Sequence, residues 1–267
     1  MARGKFLIGR TTMAGVEAVE AETDHIFPKH THDQFGIGVI RHGAHRSLSG
    51  RGTVEAGPGN VITVNPGEVH DGMPIGDHGR GWTMLYFDPA VVLDAAFHAC
   101  ESPPGQELHH PVLDDDVTRG NFLRLYRLLT GGDCGSLIAV ESLLLCLVNR
   151  LMSERSSDPA KSFPQSLRHA RALIDDAPAR NLTLGDLADV SKLSRFQVLR
   201  GFAKMTGLTP HAYLMQKRAD LARRLIRRGL VLADVAAASG FADQSHMTRT
   251  FVGKYGVTPG AYAAAFA

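Results

Sequence analysis

Three histidines near the start of the chain have the residue type and spacing of a metal or ligand site. His30 and His32 are two residues apart, and His70 follows at the end of segment 59–70. Residues i and i+2 of a strand point to the same face, so His30 and His32 are expected to face one interior. Three imidazoles can bind a divalent metal ion and leave positions open for a ligand. Alternatively, they only form hydrogen bonds within a domain that binds an organic effector, or that binds nothing.

A second group of residues, near the end of the chain, is suited to reading DNA. Arginine can donate two hydrogen bonds to the major-groove edge of guanine, and apolar side chains can contact thymine methyl groups. Arg200 and Arg249 are therefore the best candidates for base contacts. The full set of expected DNA-contacting residues is Arg195, Phe196, Leu199, Arg200, Gln244, Ser245, His246, Thr248 and Arg249.

These DNA-contacting candidates lie in an internal repeat. The segment GLTPHAY at 207–213 matches GVTPGAY at 256–262 with an offset of 49 residues, whereas Leu187-Ala188 matches Val235-Ala236 with an offset of 48. A slip of one residue belongs in a turn, so each copy predicts a helix, a short turn and a second helix.

The predicted helices have clear ends. The first copy is expected at about 184–191 and 194–206, the second at about 232–239 and 243–255, and a helix over about 212–228 joins them. Ser194 and Asp243 are suitable N-caps. Gly207 and Gly256 are suitable stops. One face of each second helix is expected to be buried, through the pairs Val198 with Phe202 and Met247 with Phe251.

Charge is divided unevenly along the 267 residues. From residue 164 onward, 15 Lys and Arg stand against 7 Asp, a net charge of +8, whereas the preceding part has 14 against 20, a net charge of −6. A basic module on an acidic body indicates binding to a polyanion such as DNA.

The C-terminal part, from about residue 167, resembles the AraC/XylS family of transcription regulators. The resemblance rests on SGFADQSH at 239–246 with Arg249 and Phe251, on the two Gly-x-Thr-Pro segments, and on Arg218 in the joining helix. It implies two helix-turn-helix units that enter successive major-groove segments. Gly201 is unusual inside a recognition helix, because a glycine there lowers the stability of the helix by about 1 kcal/mol relative to alanine. It predicts a less rigid first unit.

The N-terminal part is predicted to be rich in β-structure and to continue into helices. Strands are expected at 36–41, 60–64 and 82–87, with glycine and proline turns between them, and helices at 89–100, 114–129 and 136–155. Trp82, Met84 and Tyr86 alternate on the last strand and would share one face, so Trp82 and Tyr86 are candidates for an effector pocket, although core packing explains them equally well. The apolar stripe of the last helix is expected to cover the sheet or to contact a second subunit.

Residues 24–87 resemble a cupin barrel, through His30-Thr31-His32 and the segment GNVITVNPGEVH at 59–70. Cupin metalloenzymes also need a glutamate about four residues after the histidine pair, where this chain has Gly36 and Ile37. The resemblance therefore implies an effector-binding domain without catalysis. The alternative is a cupin-type metalloenzyme with an accessory nucleic-acid-binding domain.

The sequence thus predicts an α+β protein: an N-terminal cupin-like β-barrel with following helices, then an all-α domain of two tandem helix-turn-helix units. The expected domains are 1–155 and 164–267, with a linker at 156–163. The expected partners are double-stranded DNA, a small-molecule effector, RNA polymerase if the protein is an activator, and a second copy of the chain. No cofactor is expected to be required, although the barrel histidines could hold a divalent metal. Three unpaired cysteines, no secretory signal and no membrane span favour the cytoplasm.

Overall fold

The computed structural model describes residues 4–76, 78–99, 107–131, 137–152 and 164–266. The chain divides into two compact units, one comprising Met1–Ile26 with Thr31–Ser157 and the other Phe27–His30 with Asp158–Ala267. The predicted linker at 156–163 and the predicted ends of the helices at Cys100, Ser136 and Arg155 lie outside the described residues.

The N-terminal part contains two β-sheets. The strands are β1 (Gly4–Arg10), β2 (Val16–Thr23), β3 (Phe27–His30), β4 (Phe35–His42), β5 (Ala44–Ser49), β6 (Gly52–Ala56), β7 (Val61–Val64), β8 (His70–Ile75), β9 (Arg80–Phe87) and β10 (Val112–Leu113). The order is β1-β2-β9-β4-β7-β10 in the six-stranded sheet and β3-β8-β5-β6 in the four-stranded sheet. The neighbours β2–β9, β4–β9, β4–β7 and β5–β8 are all antiparallel.

Three helices cover one face of the six-stranded sheet: α1 (Pro89–Ala99), α2 (Asp116–Thr130) and α3 (Leu137–Met152). Ile37 of β4 and Leu85 of β9 are completely buried against them. The apolar stripe of α3 joins the same core, since Leu147, Val148 and Leu151 are at most 1% exposed. Of the two expectations for this stripe, coverage of its own sheet is the one that the structure bears out.

The opposite face of β9 carries Trp82, Met84 and Tyr86, as the alternation predicts. Two glycines of β4 make room for this row. A Cβ atom on Gly36 would lie 2.6 Å from Met84 Cε, and one on Gly38 would lie 2.4 Å from Met84 Sδ. The row therefore occupies space that ordinary β4 side chains would otherwise fill.

The C-terminal unit is helical. Its helices are α4 (Gln165–Asp176), α5 (Leu184–Ser191), α6 (Arg195–Thr206), α7 (Pro210–Arg227), α8 (Leu232–Ala238), α9 (Gln244–Tyr255) and α10 (Pro259–Ala264). Helices α5–α6 and α8–α9 are the two predicted helix-turn-helix units, and their ends agree with the prediction to within one residue. The prediction omitted α4 and α10. The overall α+β class is confirmed.

Candidate DNA interface and effector site

The two recognition helices, α6 and α9, each have one buried and one exposed face. Val198, Phe202, Met247 and Phe251 are completely buried, as predicted. The nine predicted DNA-contacting residues all lie on the other side: Arg195, Phe196, Leu199, Arg200, Gln244, Ser245 and Arg249 are exposed, and His246 and Thr248 are partly exposed. The polar and cationic groups of both helices are thus presented to the surrounding solvent.

Side-chain caps fix where α6 and α9 begin. Ser194 accepts a hydrogen bond from the Gln197 backbone N–H, and the Gln197 side chain accepts one from the Ser194 backbone N–H, at 3.2 and 2.9 Å. Asp243 accepts one from the backbone N–H of His246 at 2.6 Å. Both helices end at a left-handed glycine, Gly207 or Gly256, each with a φ of 74°. Each predicted cap and stop is confirmed.

Neighbouring groups restrain several outer-face side chains of α6. The Arg200 guanidinium lies 5.5 Å from the centroid of the Phe196 ring, which stacks the two residues on the surface. The Arg195 side chain bends back toward α5. Its Nη2 lies 3.3 Å from the position that a Cβ atom on Gly185 would occupy. Leu199 lines a cavity of about 330 Å³ together with Leu187 of α5 and other residues. The side chains of Arg195 and Leu199 thus lean toward α5, whereas that of Arg200 stays on the outer face of α6 beside Phe196.

In α9, His246 and Arg249 differ in their surroundings. The His246 ring packs edge-on against Phe241 at a centroid distance of 5.3 Å, which accounts for its partial burial. Arg249 is exposed and occupies the same position in the second copy as Arg200 in the first.

Packing against α4 explains why α6 has a glycine at position 201. A Cβ atom at this position would lie 2.8 Å from Leu167 Cδ1 of α4. Sequence reasoning associated this glycine with a loss of rigidity, whereas in the structure it permits close packing between α4 and α6.

Polar groups tie the joining helix α7 to its neighbours. Asp220 is 1% exposed and its Oδ1 accepts hydrogen bonds from Gln216 Nε2 at 3.0 Å and from Tyr255 of α9 at 2.6 Å. Arg218 donates to the carbonyl oxygens of Pro178 and Arg180, at 3.0 and 2.9 Å. The Tyr255–Asp220 bond ties the recognition helix α9 to α7, whereas the Arg218 bonds tie α7 to the segment between α4 and α5.

Two of the three N-terminal histidines pack against each other. The rings of His32 and His70 are centred 5.0 Å apart, and His30, His32 and His70 are each largely buried. His30 Nδ1 is 2.7 Å from the Pro28 carbonyl oxygen, and His70 Nδ1 is 3.1 Å from that of Glu68. An Nδ1–H bonded to a carbonyl leaves Nε2 as the lone-pair donor, the arrangement usual for metal-binding histidine.

The effector-pocket candidates Trp82 and Tyr86 lie near histidines of this domain. The Tyr86 ring is centred 5.1 Å from His32, and the Trp82 ring 6.5 Å from His45. His45 is not among the residues that the sequence predicts for this site. Its pKa is lowered to about 3, first by burial and then by the charge of Arg80 and the proximity of His70, so its ring is neutral near pH 7.

Sequence reasoning did not identify Arg80. It is 1% exposed and is the largest of the fully buried side chains in the described part of the chain. Its guanidinium lies 5.2 Å from the Trp82 ring centroid and donates to the His25 carbonyl oxygen at 3.2 Å. Burial lowers the pKa of Arg80 to about 10, so the group stays charged near pH 7.

Comparison with known proteins assigns both parts of the chain. A model of the AraC-like ligand binding domain matches residues 14–148, about half of the chain, and a model of a helix-turn-helix domain matches residues 187–265. The chain belongs to the AraC family. It is therefore a DNA-binding transcription regulator with a ligand-binding domain.

Relatives of this AraC-family protein include an uncharacterized HTH-type transcriptional regulator of Bacillus subtilis, YbfI. It is 27% identical over 225 residues, which are 83% of this chain and 81% of the relative. The HTH-type transcriptional activator RhaS of Escherichia fergusonii is 26% identical over 241 residues, 87% and 86% of the two chains. Crystalline ToxT of Vibrio cholerae with bound unsaturated fatty acid has the same fold, with a TM-score of 0.60 at 13% identity over 98% of this chain and 97% of that one. Among the described residues, no helix has the length and apolarity needed to cross a bilayer.

Proposed function

We propose that α6 and α9 enter successive major-groove segments and read bases through Arg200 and Arg249. The observation that carries this proposal is the pairing of a completely buried inner face with an exposed outer face, repeated in both units. A guanidinium can form two hydrogen bonds to guanine O6 and N7. Phe196 and Leu199 would contact thymine methyl groups, and Arg195, at the start of α6, would contact a base or a phosphate.

Selection from a random duplex library tests this proposal for the full chain. We expect an asymmetric consensus with two conserved blocks about one helical turn apart, since one subunit carries both units. The logarithm of the affinity should fall linearly with the logarithm of the salt concentration, by about 0.9 per phosphate contact. Binding without sequence preference at every salt concentration would contradict the proposal.

We propose a divalent metal ion at His30, His32 and His70 as a second feature of the N-terminal domain. Support comes from the 5.0 Å between the ring centroids of His32 and His70 and from the carbonyl partners of His30 and His70. Three histidines would leave coordination positions open to an effector. Elemental analysis of untagged protein purified without chelator should find about one metal ion per chain, lost in His32→Ala and His70→Ala. Protein without metal would contradict this assignment and leave an organic effector pocket that includes Trp82 and Tyr86.

The protein is proposed to act without catalysis. The metalloenzyme alternative needs a carboxylate near position 36, but a Cβ atom on Gly36 would lie 2.6 Å from Met84 Cε and 3.2 Å from Tyr86 Cε1. A glutamate side chain there would have to displace the end of the Met84 side chain, and Gly36 itself supplies no carboxylate. Substrate turnover that disappears in His30→Ala, with DNA binding retained, would favour the alternative.

Three further features of this regulator are also proposals. We propose that the protein works in the cytoplasm as an activator, contacts RNA polymerase and forms a homodimer. The α3 stripe is buried within its own domain, so the dimer contact would use exposed apolar residues of the neighbouring helices α1 and α3, such as Leu93 and Ile138, which are 40% and 73% exposed. Sedimentation equilibrium should show a dimer that is weakened in Ile138→Asp. Transcription from a promoter bearing the selected site should rise when the protein is added to purified polymerase.

A further inference from the structure

The turn between α5 and α6 contains a backbone conformation that lysine rarely adopts. Lys192, the residue that follows α5, is left-handed, with a φ of 54° and a ψ of 38°. Among the residues that the structure describes, it is the only one other than glycine with a positive φ. In this conformation the Cβ atom of an L-residue lies too close to the following carbonyl oxygen, so glycine usually occupies it.

Glycine does occupy the equivalent position in the second helix-turn-helix unit, where Gly240 has a φ of 80°. The backbone of the two turns is otherwise alike. In the first turn, the Leu193 N–H donates to the Ala188 carbonyl oxygen at 3.1 Å. In the second turn, the Phe241 N–H donates to the Ala236 carbonyl oxygen at 3.0 Å. Because the turns share one conformation, glycine would suit the first turn as well and would remove the strain there.

The fold of the first unit does not explain the choice of lysine. Lys192 is exposed, and its side chain forms no hydrogen bond or ion pair with another described residue. The second turn is more restricted, since a Cβ atom on Gly240 would lie 2.6 Å from the Ala179 carbonyl oxygen. The first turn thus has room for a side chain, but within the unit this side chain contributes only a charge at the surface.

This charge lies at the entrance of a recognition helix. Ser194, two residues after Lys192, is the N-cap of α6, and Arg195 is the first residue of the helix. When a recognition helix occupies the major groove, its N-terminal residues contact base edges and the first helix of the unit crosses the backbone of the DNA. The turn between the two helices must therefore lie near phosphate groups. A lysine ammonium group binds phosphate as a point charge and carries no sequence information.

We propose that Lys192 contacts a phosphate group of the DNA and that the strained turn is kept for the sake of this contact. This inference rests on the proposed function, because it requires α6 to enter the major groove. Lys192 would hold the first unit on the DNA backbone without favouring any base. A glycine in its place would give a more stable turn and one phosphate contact fewer.

Three substitutions separate the charge from the backbone strain. Lys192→Gln keeps the strain and removes the charge, so it should weaken binding to the selected duplex and to an unrelated duplex by a similar factor, about 3-fold to 10-fold in 0.1 M salt. The slope of the logarithm of affinity against the logarithm of salt concentration should become less steep by about 0.9. Lys192→Arg should bind like the parent. Lys192→Gly should lose the same affinity as Lys192→Gln, yet its urea midpoint should rise by about 0.2–0.5 M because the strain is released.

Fluorescence anisotropy with labelled duplexes measures the affinities, and urea unfolding confirms that each variant folds. Lys5→Gln is the matched control, because Lys5 of β1 is exposed and its replacement removes the same charge from the other unit. It should leave the affinity and the salt slope unchanged. If the parent binds DNA and Lys192→Gln matches it in affinity and slope, there is no phosphate contact. A urea midpoint that does not rise in Lys192→Gly would overturn the argument from strain. A parent that binds neither duplex would instead refute the proposed function, and this inference with it.

Discussion

Two substitutions that lie two residues apart in α9 should affect different properties, one the stability of the fold and the other the affinity for DNA. Phe251 is completely buried, and its ring centroid lies 4.6 Å from that of Tyr255 and 5.6 Å from that of Tyr262. Phe251→Ala should therefore lower the free energy of unfolding by about 3–5 kcal/mol, the usual cost of removing a buried phenyl ring. Arg249 is exposed. Arg249→Ala should change stability by no more than about 0.5 kcal/mol and weaken binding to the selected site by about 1–3 kcal/mol, or about 5-fold to 150-fold.

Urea unfolding followed by circular dichroism measures the first quantity, and fluorescence anisotropy with a labelled duplex measures the second. With a slope of about 1–3 kcal/mol per molar urea, the Phe251→Ala midpoint should fall by about 1 M or more. The reasoning about the two faces would be refuted if Arg249→Ala destabilised the protein as much as Phe251→Ala. It would also be refuted if Arg249→Ala bound the selected duplex as well as the parent.

Three further predictions concern stability. Ser194→Ala should cost about 1 kcal/mol in urea unfolding, because it removes the cap of α6, and an unchanged midpoint would show that this cap is dispensable. Gly253→Ala should stabilise α9 by up to about 1 kcal/mol because nothing lies near its Cβ, whereas Gly201→Ala should give no such gain because of Leu167; equal effects would contradict the packing argument. Hydrogen bonds from Thr118 and Arg150 lower the pKa of Asp115 from 3.8 to about 2, so the stabilisation is present above pH 4 and is lost as the pH falls toward 2. Asp115→Ala should therefore be less stable than the parent at pH 7, by a margin that shrinks as the pH falls from 4 through 2; a difference independent of pH would contradict this.

Much of the C-terminal unit could be predicted from the sequence because its determinants are local. Caps such as Ser194 and stops such as Gly207 act within one turn of a helix, and the repeat gave each assignment an independent check. Helix α4 was missed because its apolar positions, including Leu167, follow a proline and lie outside the repeat. The role of Gly201 could not be predicted, since it depends on Leu167, which lies 34 residues earlier in the sequence.

The effector domain was less predictable because its interior is formed by distant strands. His30 and His32 have an informative spacing, and His70 lies in a recognisable segment. His45, Gly72 and Arg80 have no such spacing. They come close only in the folded domain, where β5 and β8 of the four-stranded sheet lie near the start of β9 of the six-stranded sheet. A lone arginine at the start of a strand looks like a solvated charge in the sequence, and its burial follows only from the tertiary fold.

Base preference in the two arginine variants tests the central claim most directly. Affinities of the full-length parent, Arg200→Ala and Arg249→Ala are measured on the selected duplex and on every single-base variant of it. We expect Arg200→Ala to relax preference at a base pair in one block and Arg249→Ala at a base pair in the other, each leaving the remaining block unchanged. If both variants keep the parental preference at every position, then α6 and α9 do not read DNA through these arginines.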